Sequence, residues 1–349
     1  MLACSSPSDP NHACAADSTA AACTSGARAA WPGSDDVRTV DATSALGGNV
    51  SGLTYEGAGA SPAVLWAVRN DPGTLIRLVA SGGVWGFDAN GGWSAGRALR
   101  YPDNSGNPDA EGVTLADGGA LGGVYVVAER NNSAGSTSRN SILRYDISQG
   151  SASLRATHEW DLTNDLPRTD ANLGVEAITW IPDSMLVANG FVDESTGQAY
   201  RVSSYASHGT GLFFVGLEAD GNVYAYALNH ATGAATRVAT IVTGFTAVMG
   251  MEYDRDTGLL WIICDNHCAN DSGVLSIGTA ASGPAGKFRL SAQFTRPSSL
   301  PDINNEGFAL APRSECVANR KPAFWADDDN TGGHALRSAG IPCGAVALR

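Results

Sequence analysis

The chain has little charge, and little of that charge is positive. Only 16% of its 349 residues are Asp, Glu, Lys or Arg, and 35 acids against 22 bases leave a formal charge of −13. Such a surface repels polyphosphate backbones, which argues against nucleic acid as a partner. No apolar run reaches the roughly 20 residues of a membrane-spanning helix, so any membrane link is expected to come from the chain ends. The six histidines are scattered. No H-E-x-x-H motif, phosphate-binding glycine loop or nucleophile elbow is expected, so zinc-protease, nucleotide-hydrolysing and serine-hydrolase chemistry lack support.

Glycine is abundant, at 42 residues, and 43% apolar content suffices for a sizeable core. Short runs of Val, Leu, Trp, Tyr and Thr are broken by Asn-Gly, Asp-Gly and Gly-Gly pairs. That pattern predicts an all-β chain.

Residues 1–36 are a different material, rich in Ala, Ser, Pro and Asp without a period, and read as a flexible leader before a single domain at 37–349. Leu2-Ala3-Cys4, followed by Ser5-Ser6, is similar to the end of a bacterial lipoprotein signal and makes Cys4 a candidate for lipidation; an ordinary N-terminal thiol is the alternative. Setting Cys4 aside leaves six cysteines, which pair by proximity as Cys14–Cys23, Cys264–Cys268 and Cys316–Cys343. Disulfides imply an oxidising compartment, so the expected location is extracytoplasmic, secreted or lipid-anchored in the cell envelope. The rival reading of "CDNHC" is a metal site on Cys264, His267 and Cys268, without an evident fourth ligand.

Five segments align along the chain: "SGLTYE" from Ser51, "EGVTLA" from Glu111, "EAITWI" from Glu176, "MGMEYD" from Met249 and "EGFALA" from Glu306. In four copies a second apolar run follows and ends in charge or amide: "LWAVRND", "VVAERNN", "WIICDNH" and "FWADDDN". With third strands such as "SILRYDI" and "NVYAYAL", and fourth strands such as "RALRYP" and "TRVATIV", each unit is a four-stranded antiparallel sheet. That arrangement predicts a β-propeller, with "VRTVDA" at Val37 as the strand that closes the ring. Five blades are expected, or six if the insertion at 183–209 forms strands of its own.

The start of a first strand and the end of a second lie on one rim, because the two run antiparallel. This places Glu111 near Glu129, Glu306 near Asp327, Ser51 near Arg69 and Met249 near Asp265, with Glu176 opening the third copy. The result is an acidic ring at the channel mouth. Converging carboxylates must take up protons or a cation, and calcium suits hard oxygen ligands. The loops "DNSGNPDAE", "DANLGVE" and "DINNE" offer further oxygens. Solvated turns are the plainer alternative. Arg69 and Arg130 are candidates to hold an anion, and His267 and His334 follow second-strand ends near the rim.

The units "AEGVTLADGGALGGVYVVAERNN", "GVEAITWIPDS" and "NEGFALAP" with "FWADDDN" resemble the secreted bacterial propellers of the phytase-like esterase family ("esterase-like activity of phytase") across residues 45–335. The resemblance implies a calcium-assisted hydrolase of phosphoester or ester bonds. It is carried onto Glu111, Glu129, Glu176, Glu306 and Asp327, although Ser51 and Met249 stand where two glutamates would be.

Two functions follow. In the hydrolase, Glu111, Glu306, Asp327 and Asp265 hold calcium, Glu129 or Glu176 takes a proton, and Arg69 holds the anion of a small phosphoester or ester. In the alternative, a monomeric envelope propeller binds a ligand or protein on its rim, using exposed Tyr200 and Tyr205 of the 183–209 insertion.

Overall fold

The computed structural model describes residues 28–57, 62–150, 152–279 and 284–344. The expected lipid site at Cys4 and the Cys14–Cys23 pair lie outside them.

Short alternating segments separated by glycine turns form strands throughout. The strands are β1 (Arg38–Thr39), β2 (Val50–Glu56), β3 (Val64–Arg69), β4 (Thr74–Ser81), β5 (Val84–Phe87) and β6 (Arg97–Arg100). Then come β7 (Pro108–Leu115), β8 (Val124–Asn131), β9 (Ser138–Tyr145) and β10 (Ser153–Asp161). Next are β11 (Val175–Pro182), β12 (Val192–Asp193), β13 (Gln198–Ala199), β14 (Gly211–Leu217), β15 (Val223–Leu228) and β16 (Ala235–Ile241). The last are β17 (Gly250–Asp254), β18 (Leu259–Ile263), β19 (Ser272–Ile277), β20 (Phe288–Phe294), β21 (Asn305–Leu310), β22 (Arg320–Asp327) and β23 (Leu336–Pro342).

Two four-stranded antiparallel sheets run β11-β14-β15-β16 and β17-β18-β19-β20. The series β2-β3-β4-β6 and β7-β8-β9-β10 are joined edge to edge where β6 pairs with β10 in parallel. The last sheet runs β1-β23-β22-β21, so a strand from the start of the domain completes a sheet built by its end, as expected for "VRTVDA".

The fold is therefore all-β and propeller-like. The five strands opening the repeat pack in sequence, β2 on β7, β7 on β11, β11 on β17, β17 on β21, and β21 back on β2.

Period-two alternation sends successive side chains to opposite faces, and each face becomes half of a separate core. Along β8, Val124, Val126 and Ala128 pack with Val64 and Trp66, whereas Tyr125 and Val127 pack with Ile178, Trp180 and Phe213. Corresponding layers join β14 to β18, β18 to β22, and β22 to β3.

The leader boundary needs correction. Among its described residues, Ala29 bridges Phe294 and Trp31 is buried between Trp261 and Trp325, with ring centroids at 5.7 and 5.4 Å. A single large ring filling a gap between two sheets outweighs the polar composition around it.

The insertion at 183–209 holds a short helix (Asp183–Ala188) and the β12–β13 hairpin. Its tyrosines turn inward, contrary to expectation. Tyr200 is 4% exposed and its hydroxyl donates to Asp183 at 2.8 Å, while Tyr205 is half-buried and donates to Asp193 at 2.7 Å. A buried hydroxyl bonded to a carboxylate contributes about 1 to 2 kcal/mol, and Tyr200→Phe is expected to lower unfolding stability by that amount. Equal denaturation midpoints for variant and parent would show that the hydroxyl does not hold the insertion.

Candidate functional site at the acidic mouth

The repeat's Glu-Gly pair gains a structural meaning from the register of the inner strands. Pairing shifts at Val50/Leu53, Ala110/Gly112, Val175/Ala177 and Asn305/Gly307, so a bulge lies at Ser51, Glu111, Glu176 and Glu306. A bulge re-aims the residue it carries, and here it gathers polar side chains at one end of the ring. In β17 the pairing from Gly250 is unbroken, and Met249 carries no acid.

The residue after each of these positions is Gly52, Gly112, Ala177, Gly250 or Gly307. Neighbouring backbones touch there: a Cβ on Gly52 would lie 2.5 Å from Gly112 Cα, and one on Gly307 would lie 2.4 Å from the Ser51 carbonyl oxygen. The ring is closed to a waist of about 10 Å³ lined by these residues, Glu176 and Glu306.

Above the waist stands the acidic mouth. Asp109, Glu111 and Glu129, all buried, bring one carboxylate oxygen each within 4.8 Å of the others. Burial pushes Glu111 well above the usual carboxylate range, helped by the charges of Glu306, Asp109 and Glu129. Glu176 rises in the same way, by burial and then the charges of Glu111 and Glu129. For Glu129, burial outweighs a backbone hydrogen bond from Gly174 at 3.0 Å and lifts it to about 7. Glu306 is raised by burial and by Asp328, although Ser51 donates to it at 3.0 Å.

The ring member on the last sheet is Asp328, not Asp327. Asp327 accepts from the Thr331 backbone at 2.8 Å and faces Arg337 at 3.7 Å, capping its own turn. Asp328, the first residue beyond β22, stands at the mouth, where Asn304 donates to Glu306 at 3.0 Å and to Asp328 at 3.5 Å. Burial and Asp329 raise Asp328 to about 6.

Asp109, from the "DNSGNPDAE" stretch, and Glu218, which the sequence did not single out, also belong to the site. Glu218 follows β14, the second strand of the third unit, and its pKa is raised by burial and by Asp265. The rule that second strands end in acid applies there too: "GLFFVGLEADG" follows the 183–209 insertion as the second strand of its unit and runs into Glu218. Asp109 lies two residues before Glu111, within the stretch expected to offer further oxygens, and it already belongs to β7.

Asp265 accepts from the His267 backbone at 3.0 Å and its ring Nδ1 at 2.8 Å, and its charge acts on Glu218 and Glu306. His334 is elsewhere, against Asp41 at 3.2 Å.

The arginines serve the chain. Arg130 pairs with Asp109 at 2.5 Å and Glu129 at 3.2 Å, and Arg69 donates to the carbonyls of Leu46 and Gly48. Arg69 therefore does not reach out to a substrate anion in this arrangement.

Cys264–Cys268 and Cys316–Cys343 are disulfides, so two of the three candidate metal ligands in "CDNHC" are already bonded to each other. Both bonds suit an oxidising compartment. Gly92-Trp93-Ser94-Ala95-Gly96 has the letters of a nucleophile elbow, but it is a turn between β5 and β6, with no helix after it.

The donor set fits a hard cation. Asn70 Oδ1, Asp109 Oδ2 and Asp328 Oδ1 are buried oxygens without a hydrogen-bond donor, although Asp109 Oδ2 has its ion pair with Arg130. Oxygen-only ligation by carboxylates and an amide suits calcium better than softer metals.

Comparison with known proteins adds little to this geometry. No protein-family profile matches the chain, and no curated protein matches it. Among solved structures, a similar chain is the Saccharomyces cerevisiae Sqt1, 10% identical, with a TM-score of 0.34 over 83% of this chain. The match spans 62% of that chain, and at this level of likeness it carries no argument.

Proposed function

We propose that the chain is an exported five-bladed propeller of the phytase-like esterase kind, whose acidic mouth holds calcium and hydrolyses phosphoester or ester bonds. The ring of five inner strands, each opening its own antiparallel series, supports the blade count. The two disulfides support export. Lipid attachment at Cys4 is part of the same proposal.

The observation that carries the hydrolase is the buried triad of Asp109, Glu111 and Glu129 beside Glu306 and Asp328. Glu111, Glu306, Asp109 and Asp328 would hold the cation, with Asp265 at the edge; bound there, it would polarise a phosphoryl or acyl oxygen. Glu129, poised at about 7, is suited to take the proton of an attacking water near neutral pH, and Glu176 stands beside it as a second candidate. Arg130 keeps Glu129 in place through its ion pair at 3.2 Å.

A second reading is favoured by one observation: Arg69 and Arg130 are both engaged by the chain. With both guanidinium groups occupied, the rim suits an envelope propeller that uses calcium to fix its loops and binds a ligand or protein.

The deciding experiment is a hydrolysis screen over phosphomonoesters, phosphodiesters, inositol phosphates and short acyl esters, with and without calcium, on the parent and Glu306→Gln. The hydrolase predicts calcium-dependent turnover that falls at least about tenfold in the variant while folding is retained. Calcium binding without turnover on any of these selects the binding protein.

A further inference from the structure

The opposite end of the ring holds a different site. Three residues beyond each repeat start are Thr54, Thr114, Thr179, Glu252 and Ala309. The first four line a cavity of about 400 Å³ on the far side of the waist. The fourth inner strand, which has Met249 at the acidic mouth, thus carries its carboxyl at the other end.

Most charged groups around this cavity are already paired. Lys321, buried, donates to Asp254 at 2.8 Å and Asp256 at 3.4 Å. Glu56 accepts from Trp66 Nε1 and the Ala120 backbone, both at 2.9 Å. Asp117 accepts from Thr210 at 2.6 Å, and the Tyr55 hydroxyl donates to Glu315 at 2.5 Å. Arg255 lies over the Trp180 ring at 4.7 Å. Thr179 accepts from the Tyr253 backbone at 3.1 Å.

Glu252, Thr54 and Thr114 are different. Among the described residues none of their side chains makes a hydrogen bond or ion pair, and all three face the same space. Acids also outnumber bases on the cavity wall: Glu56, Asp117, Glu252, Asp254 and Asp256 against Arg255 and Lys321. That balance favours a cation over an anion. The volume is that of a small-molecule pocket, far larger than a bare ion needs.

We propose that this cavity is a second ligand site, separate from the acidic mouth, which takes the primary ammonium group of a small organic molecule on Glu252, Thr54 and Thr114. An ammonium has three N–H donors and no acceptor. The Thr54 and Thr114 hydroxyls on the adjoining β2 and β7, and the Glu252 carboxylate on β17, line the one cavity and offer three acceptors to it. Burial lifts Glu252 to about 8, with Arg255 and Lys321 opposing and Asp254 adding to the rise. The carboxyl is therefore largely protonated at pH 7, and an arriving ammonium displaces its proton: neutral acid plus ammonium gives the carboxylate–ammonium pair and one released proton. Affinity should accordingly strengthen as pH rises toward 8.

Calorimetric titration of the full chain tests this, with butylammonium, phenethylammonium and 1,4-diaminobutane as probes at pH 7. Tetramethylammonium, which has no N–H, and calcium chloride serve as comparisons. Running each in PIPES and in HEPES reads the proton released. The expected result is saturable binding of at least one primary ammonium with release of close to one proton. Binding should weaken roughly tenfold or more in Glu252→Gln and less in Thr114→Val, and be unaffected by Glu306→Gln. Gln mimics the neutral acid, so Glu252→Gln is expected to fold, which its thermal unfolding curve verifies. No saturable binding of any primary ammonium, or binding unchanged by Glu252→Gln, overturns the proposal. So does tetramethylammonium binding as well as the N–H donors, or calcium binding lost in Glu252→Gln but kept in Glu306→Gln.

Discussion

Gly52→Ala is expected to destabilise the protein by about 3 kcal/mol or more, the upper range for inserting a methyl group where nothing can yield. Its Cβ would meet Gly112 Cα at 2.5 Å, Val113 N at 2.7 Å and the Glu111 carbonyl oxygen at 2.8 Å, all backbone atoms of β7. Flexible side chains can swing aside, but two strands each held by hydrogen bonds in its own sheet, β2 to β3 and β7 to β8, cannot. Since Gly52 adjoins Ser51 and the contact is with the Glu111 segment, forced separation also spreads the acidic mouth. Calcium binding is therefore expected to weaken along with folding. Gly86→Ala is the control: a methyl group added to this strand residue would have nothing within 4 Å, and the change should stay within about 0.5 kcal/mol. Denaturant unfolding of the two variants side by side decides the matter; equal midpoints would mean the inner strands do not touch at the waist.

Calcium-free protein is expected to lose stability steadily from about pH 5 to pH 8. Carboxyls whose folded pKa is raised favour the neutral form in the fold. Their contribution is complete below the ordinary carboxylate range and is lost as pH climbs through the folded values, about 6 for Asp328 and about 7 for Glu129. Glu111, Glu176 and Glu306 shift in the same direction. For Glu129 alone a displacement of this size corresponds to about 3 kcal/mol. Calcium at the proposed site would replace the protons as counter-charge, so it should stabilise little at pH 5 and most at pH 8. Melting temperatures measured with chelator and with excess calcium across this range give the answer. Curves that coincide at every pH would place no cation at the mouth, whatever the hydrolysis screen returns. Glu252 titrates in the same window, and repeating the series on Glu252→Gln removes its share.

Much of the architecture was legible because a repeat leaves a periodic trace. The strand openings at Ser51, Glu111, Glu176, Met249 and Glu306 all became inner strands or abut them, and the closing strand near Val37 was found where the pattern required it. The Cys264–Cys268 and Cys316–Cys343 pairs were legible from proximity alone. Asp328 was not, because the choice among three consecutive aspartates depends on a bulge at Asn305/Gly307 and on which residue caps the following turn. Glu218 directly follows the strand after the 183–209 insertion, and only its burial and the charge of Asp265 beside it distinguish it from an acid in a solvated turn.

Composition and short-range spacing suffice for an all-β chain with a fivefold repeat, an excess of acid at the repeat starts and two local disulfides. Long-range packing selected which carboxyls meet, made Trp31 core rather than leader, turned Tyr200 inward and set Glu252 against a separate cavity. Those outcomes depend on where bulges rotate a strand and how closely glycines let neighbouring backbones approach, and both are settled only when the five inner strands close on one another.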